Sequence, residues 1–256
     1  MRPWPFLSFL PLCLLFLGLC LGLPLQAQDL AATCQASSSY DLTLQPRQLV
    51  FERATPEPTH VVVGEGTLRV DGVLVHGAGE QQDRIRAFER EVRALVPQVR
   101  AVADRGVDLA TQSVRDEVAG LGLASDSRDE LDRRLAAHAS SVKQRIASSQ
   151  STKDWHGSAF EQYATELSAD LLPAIGVDLG QQALQAMAGG DAQGALALRD
   201  RAVGLATGLQ ARMRQQLQAL RPAVAALCPS VQRLLELQQG WQDAQGRPLH
   251  LLERDP

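Results

Sequence analysis

Four cysteines and five histidines are the side chains best suited to chemistry in this 256-residue chain, and their spacing decides what chemistry that could be. None of His60, His76, His138, His156 and His250 stands at HExxH or other metal-ligand spacing from another His, Asp or Cys. His138 falls on an apolar helical stripe and reads as a packed or boundary residue. His156 follows Trp155 in a polar connector, where an exposed loop residue is the first reading and a binding-site residue the second. Gly77-Ala78-Gly79 lies between a strand and a helix, the place of a phosphate-binding loop. Position 82 is Gln rather than the third Gly, no Lys-Ser/Thr pair follows, and Glu80 puts a negative charge at the helix start, so it reads as a plain β-to-α turn. No Gly-x-Ser-x-Gly occurs. Glu89, Glu91, Asp116 and Glu117 lie in Arg-rich helical surfaces, where solvated ion pairs are the default. The residues nominate no catalytic group, no cofactor-binding group, no metal ligand and no cofactor.

The cysteines carry a more specific signal. Cys13 and Cys20 lie in an apolar run from Phe6 to Leu23, which follows Met1-Arg2 and ends near Leu25-Gln26-Ala27. A basic start, a leucine-rich core and a small-residue exit within thirty residues describe a cleaved signal peptide over residues 1–27; a membrane anchor is the alternative. Cleavage leaves Cys34 and Cys228, near opposite ends of an exported chain, which reads as one structural disulfide. Free-thiol chemistry is the other reading, but neither cysteine has a nearby His or a Cys-x-x-Cys partner. Removing residues 1–27 takes away one positive charge, Arg2, so the net charge moves from −4 to −5. That mild acidity opposes nucleic-acid binding, and no later apolar run is long and uncharged enough to span a bilayer.

These residues must be held by two kinds of element. From Cys34 to His76 the apolar period is two: Tyr40-Asp41-Leu42-Thr43-Leu44, then Gln48-Leu49-Val50-Phe51-Glu52, then His60-Val61-Val62-Val63 after a loop with Pro56 and Pro58. Gly64-Glu65-Gly66 and Asp71-Gly72 punctuate two further runs, Thr67 to Val70 and Val73 to Val75. Asp-Gly supplies the positive φ values of a type I′ turn, so a small antiparallel sheet of four or five strands is expected. From Glu80 to about Leu121 the period becomes helical: Ile85, Phe88, Val92, Leu95, Val99 and Val102 share one stripe. Pro97 predicts a kink or break near Ala94 to Val96, and the stripe shifts at Gly106. Gly120 and Gly122 stop the segment. Ser127 and Glu130 read as a capping box opening a second helix with Leu131, Leu135, His138, Val142 and Ile146 on its stripe. Glu89 with Arg93, Glu130 with Arg134, and Asp129 with Arg133 stand at i,i+4. A third helix is expected from Phe160 to Ile175 and beyond, with Pro173 kinking it. A fourth runs from Leu196 to Leu227, with Gly204 and Gly208 in a small-xxx-small pair and Pro222 bending or splitting it. A short last helix holds Val231, Leu234, Leu235 and Trp241, and Leu249 to Leu252 forms an edge strand.

Cys34 leading to Tyr40-Asp41, then Gly66-Thr67-Leu68-Arg69-Val70-Asp71-Gly72, then Leu95-Val96-Pro97 in an Arg/Gln-rich helix, and finally Cys228 form a recognisable series. In it the chain resembles the YggN-like family of bacterial periplasmic proteins. The family pattern Asp-Gly-x-Leu-x-Val-x-Gly differs at position 65, which is Glu here. The resemblance runs to about Leu237 and leaves the tail from Trp241 unplaced. It implies a periplasmic location in a Gram-negative cell and no particular reaction.

The sequence therefore predicts an α+β protein in which a small N-terminal antiparallel β-sheet packs on long helices forming an antiparallel helical hairpin or bundle. Residues 1–27 are the signal peptide, 28–78 the sheet, 79–240 the helical region and 241–256 a C-terminal tail. Three functions fit: a non-enzymatic binding or scaffolding module, a small-molecule or lipid carrier with an apolar cleft, and an enzyme whose residues converge only in three dimensions. Another envelope protein or a second copy of the chain is the expected partner; nucleic acid is not, and the mature chain has no transmembrane segment.

Overall fold

The computed structural model describes residues 33–155, 173, 175–198, 200, 215 and 218–255. The expected signal peptide, His156, the start of the third helix at Phe160, and the Gly204 and Gly208 pair lie outside these residues.

Alternation of apolar and polar residues builds a five-stranded antiparallel meander: β2 (Asp41–Leu44), β3 (Leu49–Glu52), β4 (His60–Gly64), β5 (Thr67–Val70) and β6 (Val73–Val75). Both tight hairpins use positive-φ pairs, Glu65 (52°) with Gly66 (79°) and Asp71 (47°) with Gly72 (83°), as type I′ turns require. The Asp71-Gly72 turn fixes the register Val70 opposite Val73. One face of the sheet is apolar, with Leu49, Val61, Val63 and Leu68 fully buried.

That face is covered by α1 (Gly79–Ala119), an unbroken helix of 41 residues that spans ~60 Å at ~1.5 Å per residue. Ile85, Phe88 and Val92, from the predicted stripe, enter the sheet's core. The helix does not break at Pro97. Its residues before Pro97 are packed on the sheet, and Arg93 reaches from there to Glu89 and to the Gln45 carbonyl. Beyond Pro97, Arg100 donates to the Ser149 carbonyl. Pro97 itself faces solvent, so its ring disturbs the turn without having to be packed. The sheet's β4–β5 turn docks on the same helix: the Glu65 N–H donates to Glu89 at 3.1 Å, and a Cβ on Gly66 would come within 2.9 Å of the Arg86 guanidinium.

Gly120 caps α1, and Gly122, at φ 68°, turns the chain. The second helix, α2 (Ser125–Ser148), returns antiparallel along the far half of α1. It starts two residues before the expected capping box, so Ser127 sits inside its first turn and no side chain on Ala124 caps it. The Asp178 carboxylate accepts from the Ala124 N–H instead, at 2.9 Å. A cap brought from 54 residues away removes the need for a local one. Glu130 pairs with Arg134 as expected and also takes Arg133, leaving Asp129 outside that pair.

The chain then returns to the sheet. Residues 149–155 lie along β2, where the Gln150 carbonyl accepts from Leu44 N–H at 2.8 Å and Thr152 Oγ1 from Leu42 N–H at 2.9 Å. This covers one sheet edge. Pro222 opens a short helix, α3 (Arg221–Ala225), and Pro229 lies in the first turn of α4 (Cys228–Leu237), positions where a missing N–H is harmless. Cys228 is bonded to Cys34 across 194 residues of sequence. The predicted last helix ends at Leu237, before Trp241. Trp241 is buried against Phe88, with ring centroids 4.9 Å apart, and Leu249 and Leu251 join the same core. The expected edge strand at Leu249 to Leu252 is displaced: its leucines pack inward, and the pairing strand is β7 (Glu253–Arg254), antiparallel to β1 (Ala36–Ser37).

Candidate functional site

Two surfaces combine exposure with a defined geometry. The first is a polar cleft of about 670 Å³ at one end of the sheet. The β3–β4 loop contributes Glu57 and Thr59, with His60 at the start of β4. The β5–β6 hairpin contributes Val70, Asp71 and Val73, and the tail contributes Gln245 and Arg247.

Each wall is fixed by its own hydrogen bonds. The loop carries cis bonds before Pro56 and Pro58 and is folded over Tyr40. The Tyr40 hydroxyl donates to the Pro58 carbonyl at 2.9 Å, and the Arg53 guanidinium lies 4.1 Å above the Tyr40 ring while its Nε also donates to Pro58. Burial raises the Tyr40 phenol above its ordinary value, against the pull of Arg53. Asp71, held in the left-handed region by its turn, accepts through Oδ1 from the Thr59 and His60 N–H groups at 3.0 and 2.9 Å. The opposite wall is a hairpin closed by the Gln242 bridge to Pro248, with Gly246 at φ 78°. Asp243 organises it. Its side chain is 2% exposed and accepts from the backbone N–H groups of Gln245 and Arg247 and from Arg247 Nε at 2.6 Å. Burial opposes ionisation of Asp243, but these three donors outweigh it and hold the carboxyl below its ordinary 3.8. The same contact raises Arg247, helped by the nearby charges of Glu57 and Asp71.

The second surface is apolar. Residues 175–188 are helical, and Ile175 and Leu179 pack with Val118, Leu121, Leu123, Leu131 and Leu135 at the far end of the α1–α2 hairpin. The opposite side displays Val177, Leu184 and Met187 at 61%, 72% and 63% exposure. At ~100° per residue these three fall within about 80° of one another. The only charge between positions 175 and 187 is the buried Asp178, whose carboxylate is already engaged by Ala124 and Gln182.

A sequence model of the family described as "Protein of unknown function (DUF2884)" matches residues 34–249. The chain belongs to this family. No curated protein and no solved structure matches it significantly. The match extends through Trp241 to Leu249, a segment that the sequence by itself leaves outside any family. In this member of the family those residues complete the sheet's core and build one wall of the cleft.

The structure joins Cys34 and Cys228, the one site pair nominated from the sequence. Of the histidines, His60 lines the cleft, His138 is half-buried on α2, and His76 and His250 are exposed and apart from it. Glu89 is an ion-pair partner of Arg93, and Glu117 is buried. No group of three or more His, Cys, Asp or Glu side chains among the described residues is arranged to hold a metal ion. Asp71, Glu57, Asp243 and Arg247 escaped the sequence reading as site residues. The Asp-Gly turn signal placed Asp71 but gave it only a structural role. The Asp243 to Arg247 spacing of four was a usable signal, hidden because the segment is a hairpin rather than a helix.

Proposed function

We propose that the protein is an exported, non-enzymatic binding or scaffolding module that associates with a second copy of itself through the apolar face of Val177, Leu184 and Met187. The observation that carries this reading is a helix with two apolar sides, one packed in the core of the helical hairpin and the other exposed. A solvated helix ordinarily turns a charged face outward, and contiguous exposed apolar residues mark interaction surfaces. The occupant follows from charge. The chain is mildly acidic, with a net charge of −4 before any cleavage, so two copies repel each other weakly overall. The face at residues 177–187 carries no exposed charge, and two copies can meet there without repulsion, in an isologous contact.

The carrier alternative has less support. The space between sheet and α1 is filled by Phe88, Trp241, Leu49, Leu68, Leu249 and Leu251 rather than left as an apolar cleft. Export is supported by the leader-like residues 1–27 and by the Cys34 to Cys228 bond, a linkage typical of oxidising compartments.

Light scattering across a concentration series tests the reading. The expected result is a reversible dimer that L184E/M187E converts to a monomer, with the unfolding midpoints of the two proteins equal at dilutions where the wild type is also monomeric, since both side chains are exposed in the monomer. A strict monomer at every concentration overturns self-association. Crosslinking of a different envelope protein to this face, in place of a second copy, would replace the proposed partner.

A further inference from the structure

We infer that the polar cleft at the end of the sheet is a binding site for a ligand carrying both a carboxylate and an ammonium group, the class of amino acids and short peptides. The cleft's volume falls within the ~300–1,000 Å³ usual for small-molecule sites. Charges of both signs line its opening. Arg247 stands on the tail wall, and Glu57 and Asp71 on the loop and hairpin wall, close enough for both carboxylates to raise the Arg247 pKa. Yet no ion pair joins Arg247 to either of them, and among the described residues Arg247 pairs with Asp243 alone.

Opposite charges on flexible surface side chains tend to find each other. Here Arg247 and Asp71 are each held back by bonds of their own. The buried Asp243 carboxylate fixes Arg247 through Nε, and the two terminal nitrogens, a potential fork, have no partner among the described residues. The Thr59 and His60 amides fix Asp71, a lining residue of the cleft, through Oδ1, and Oδ2 has no partner among the described residues. Glu57 is presented by a loop whose backbone is tied to Arg53, and its carboxylate makes no hydrogen bond or ion pair with any described residue. A fixed acceptor at Asp71, with Glu57 beside it, and a fixed donor fork at Arg247 match a ligand with the reverse arrangement, and the fold already meets the ordering cost of Asp71 and Arg247. Two carboxylates against one guanidinium favour ligands with an excess of positive charge, hence basic amino acids and peptides.

Calorimetric titration of the disulfide-intact protein with L-lysine and with glycyl-L-lysine tests the assignment, with acetate and cadaverine as probes carrying the anion or the cation alone. Both zwitterions are expected to bind saturably, and acetate and cadaverine about tenfold or more weakly by comparison. E57Q/D71N removes the negative charges while Asn keeps an acceptor for the Thr59 and His60 amides. R247K keeps a cation beside Asp243 but loses the fork. Each variant is expected to weaken both zwitterions by about tenfold or more, with binding read well below the unfolding midpoint, which R247K lowers through its lost Nε bond to Asp243. Absence of saturable binding, equal affinity for cadaverine, or full affinity retained in E57Q/D71N would each overturn the inference.

Discussion

Asp243 shows how one buried carboxylate can hold a piece of chain that has little regular structure. It collects two backbone amides and the Arg247 Nε within a turn that is otherwise exposed. Its carboxyl is lower in the folded protein than its ordinary 3.8, because the ionised form is what these donors bind. The sign follows from linkage. A depressed carboxyl contributes stability that is fully present above the unfolded value and is lost as pH falls through the folded one. D243N is therefore expected to lower the thermal midpoint at neutral pH, with the gap from the wild type closing below about pH 4. Midpoints of both proteins measured from pH 7 downward check this; a gap that persists undiminished in acid contradicts it. Nothing in the linear sequence marks Asp243 as buried, since Gln242, Ala244 and Gln245 around it carry no apolar pattern.

At the scale of elements, Pro97 sets prediction and outcome apart most clearly. A proline within a helix removes one N–H and crowds the carbonyl four residues back, a cost of ~3 kcal/mol in a regular helix. That rule favoured a break, yet α1 continues from Gly79 to Ala119. The rule counts only local terms. Burial of Ile85, Phe88 and Val92 on one side and the packing of α2 on the other hold both halves in line, and burying one such side chain is worth about 1.5–3 kcal/mol. Because Pro97 is exposed, P97A restores the amide without disturbing packing. It is expected to stabilise the protein by about 1–3 kcal/mol, less than the full helix cost because proline also restricts the unfolded chain. Urea unfolding reads the change directly, and a destabilised P97A would show that the proline shapes the helix rather than burdening it. The Ser127 to Glu130 motif is the complementary case. A locally sound capping signal yielded to a cap from Asp178, a contact that only the folded chain can make.

Among the described residues, the molecule is organised as two cores strung on one helix. The sheet core takes the near half of α1, α4 and the tail; the second core lies at the far end, around Leu121, Leu131, Leu135 and Leu179. Both ends of the described residues are fastened beside the first. Cys34 is bonded to Cys228, β1 pairs with β7, Ser37 Oγ donates to Asp255 at 2.6 Å, and the Gln232 side chain donates to the Cys34 carbonyl. A bond closing so long a loop restricts the unfolded chain strongly, about 5 kcal/mol at most in the chain-entropy model. C34S/C228S is expected to lose about 2–5 kcal/mol in denaturant unfolding. The wild type should fall to the same midpoint under reductant, while the variant should not respond to it. Equal stability of the two oxidised proteins would refute a structural role for the bond.

The sequence by itself determined what depends on neighbours along the chain. Period-two runs gave the strands, Asp71-Gly72 gave a turn by its φ values, the Ile85, Phe88 and Val92 stripe gave the face of α1, and the two cysteines outside the leader-like residues 1–27 gave the disulfide. These are local or countable properties, and the α+β arrangement follows from them. Tertiary structure alone decided that α1 runs through Pro97, that Asp178 caps α2, that Trp241 and Leu249 belong to the sheet's core, and that Glu57, Asp71 and Arg247 face one cleft. The physical reason is common to all four. Burial free energy and hydrogen bonds between distant segments are comparable with or larger than local propensities, and they act only between residues that the fold has brought together.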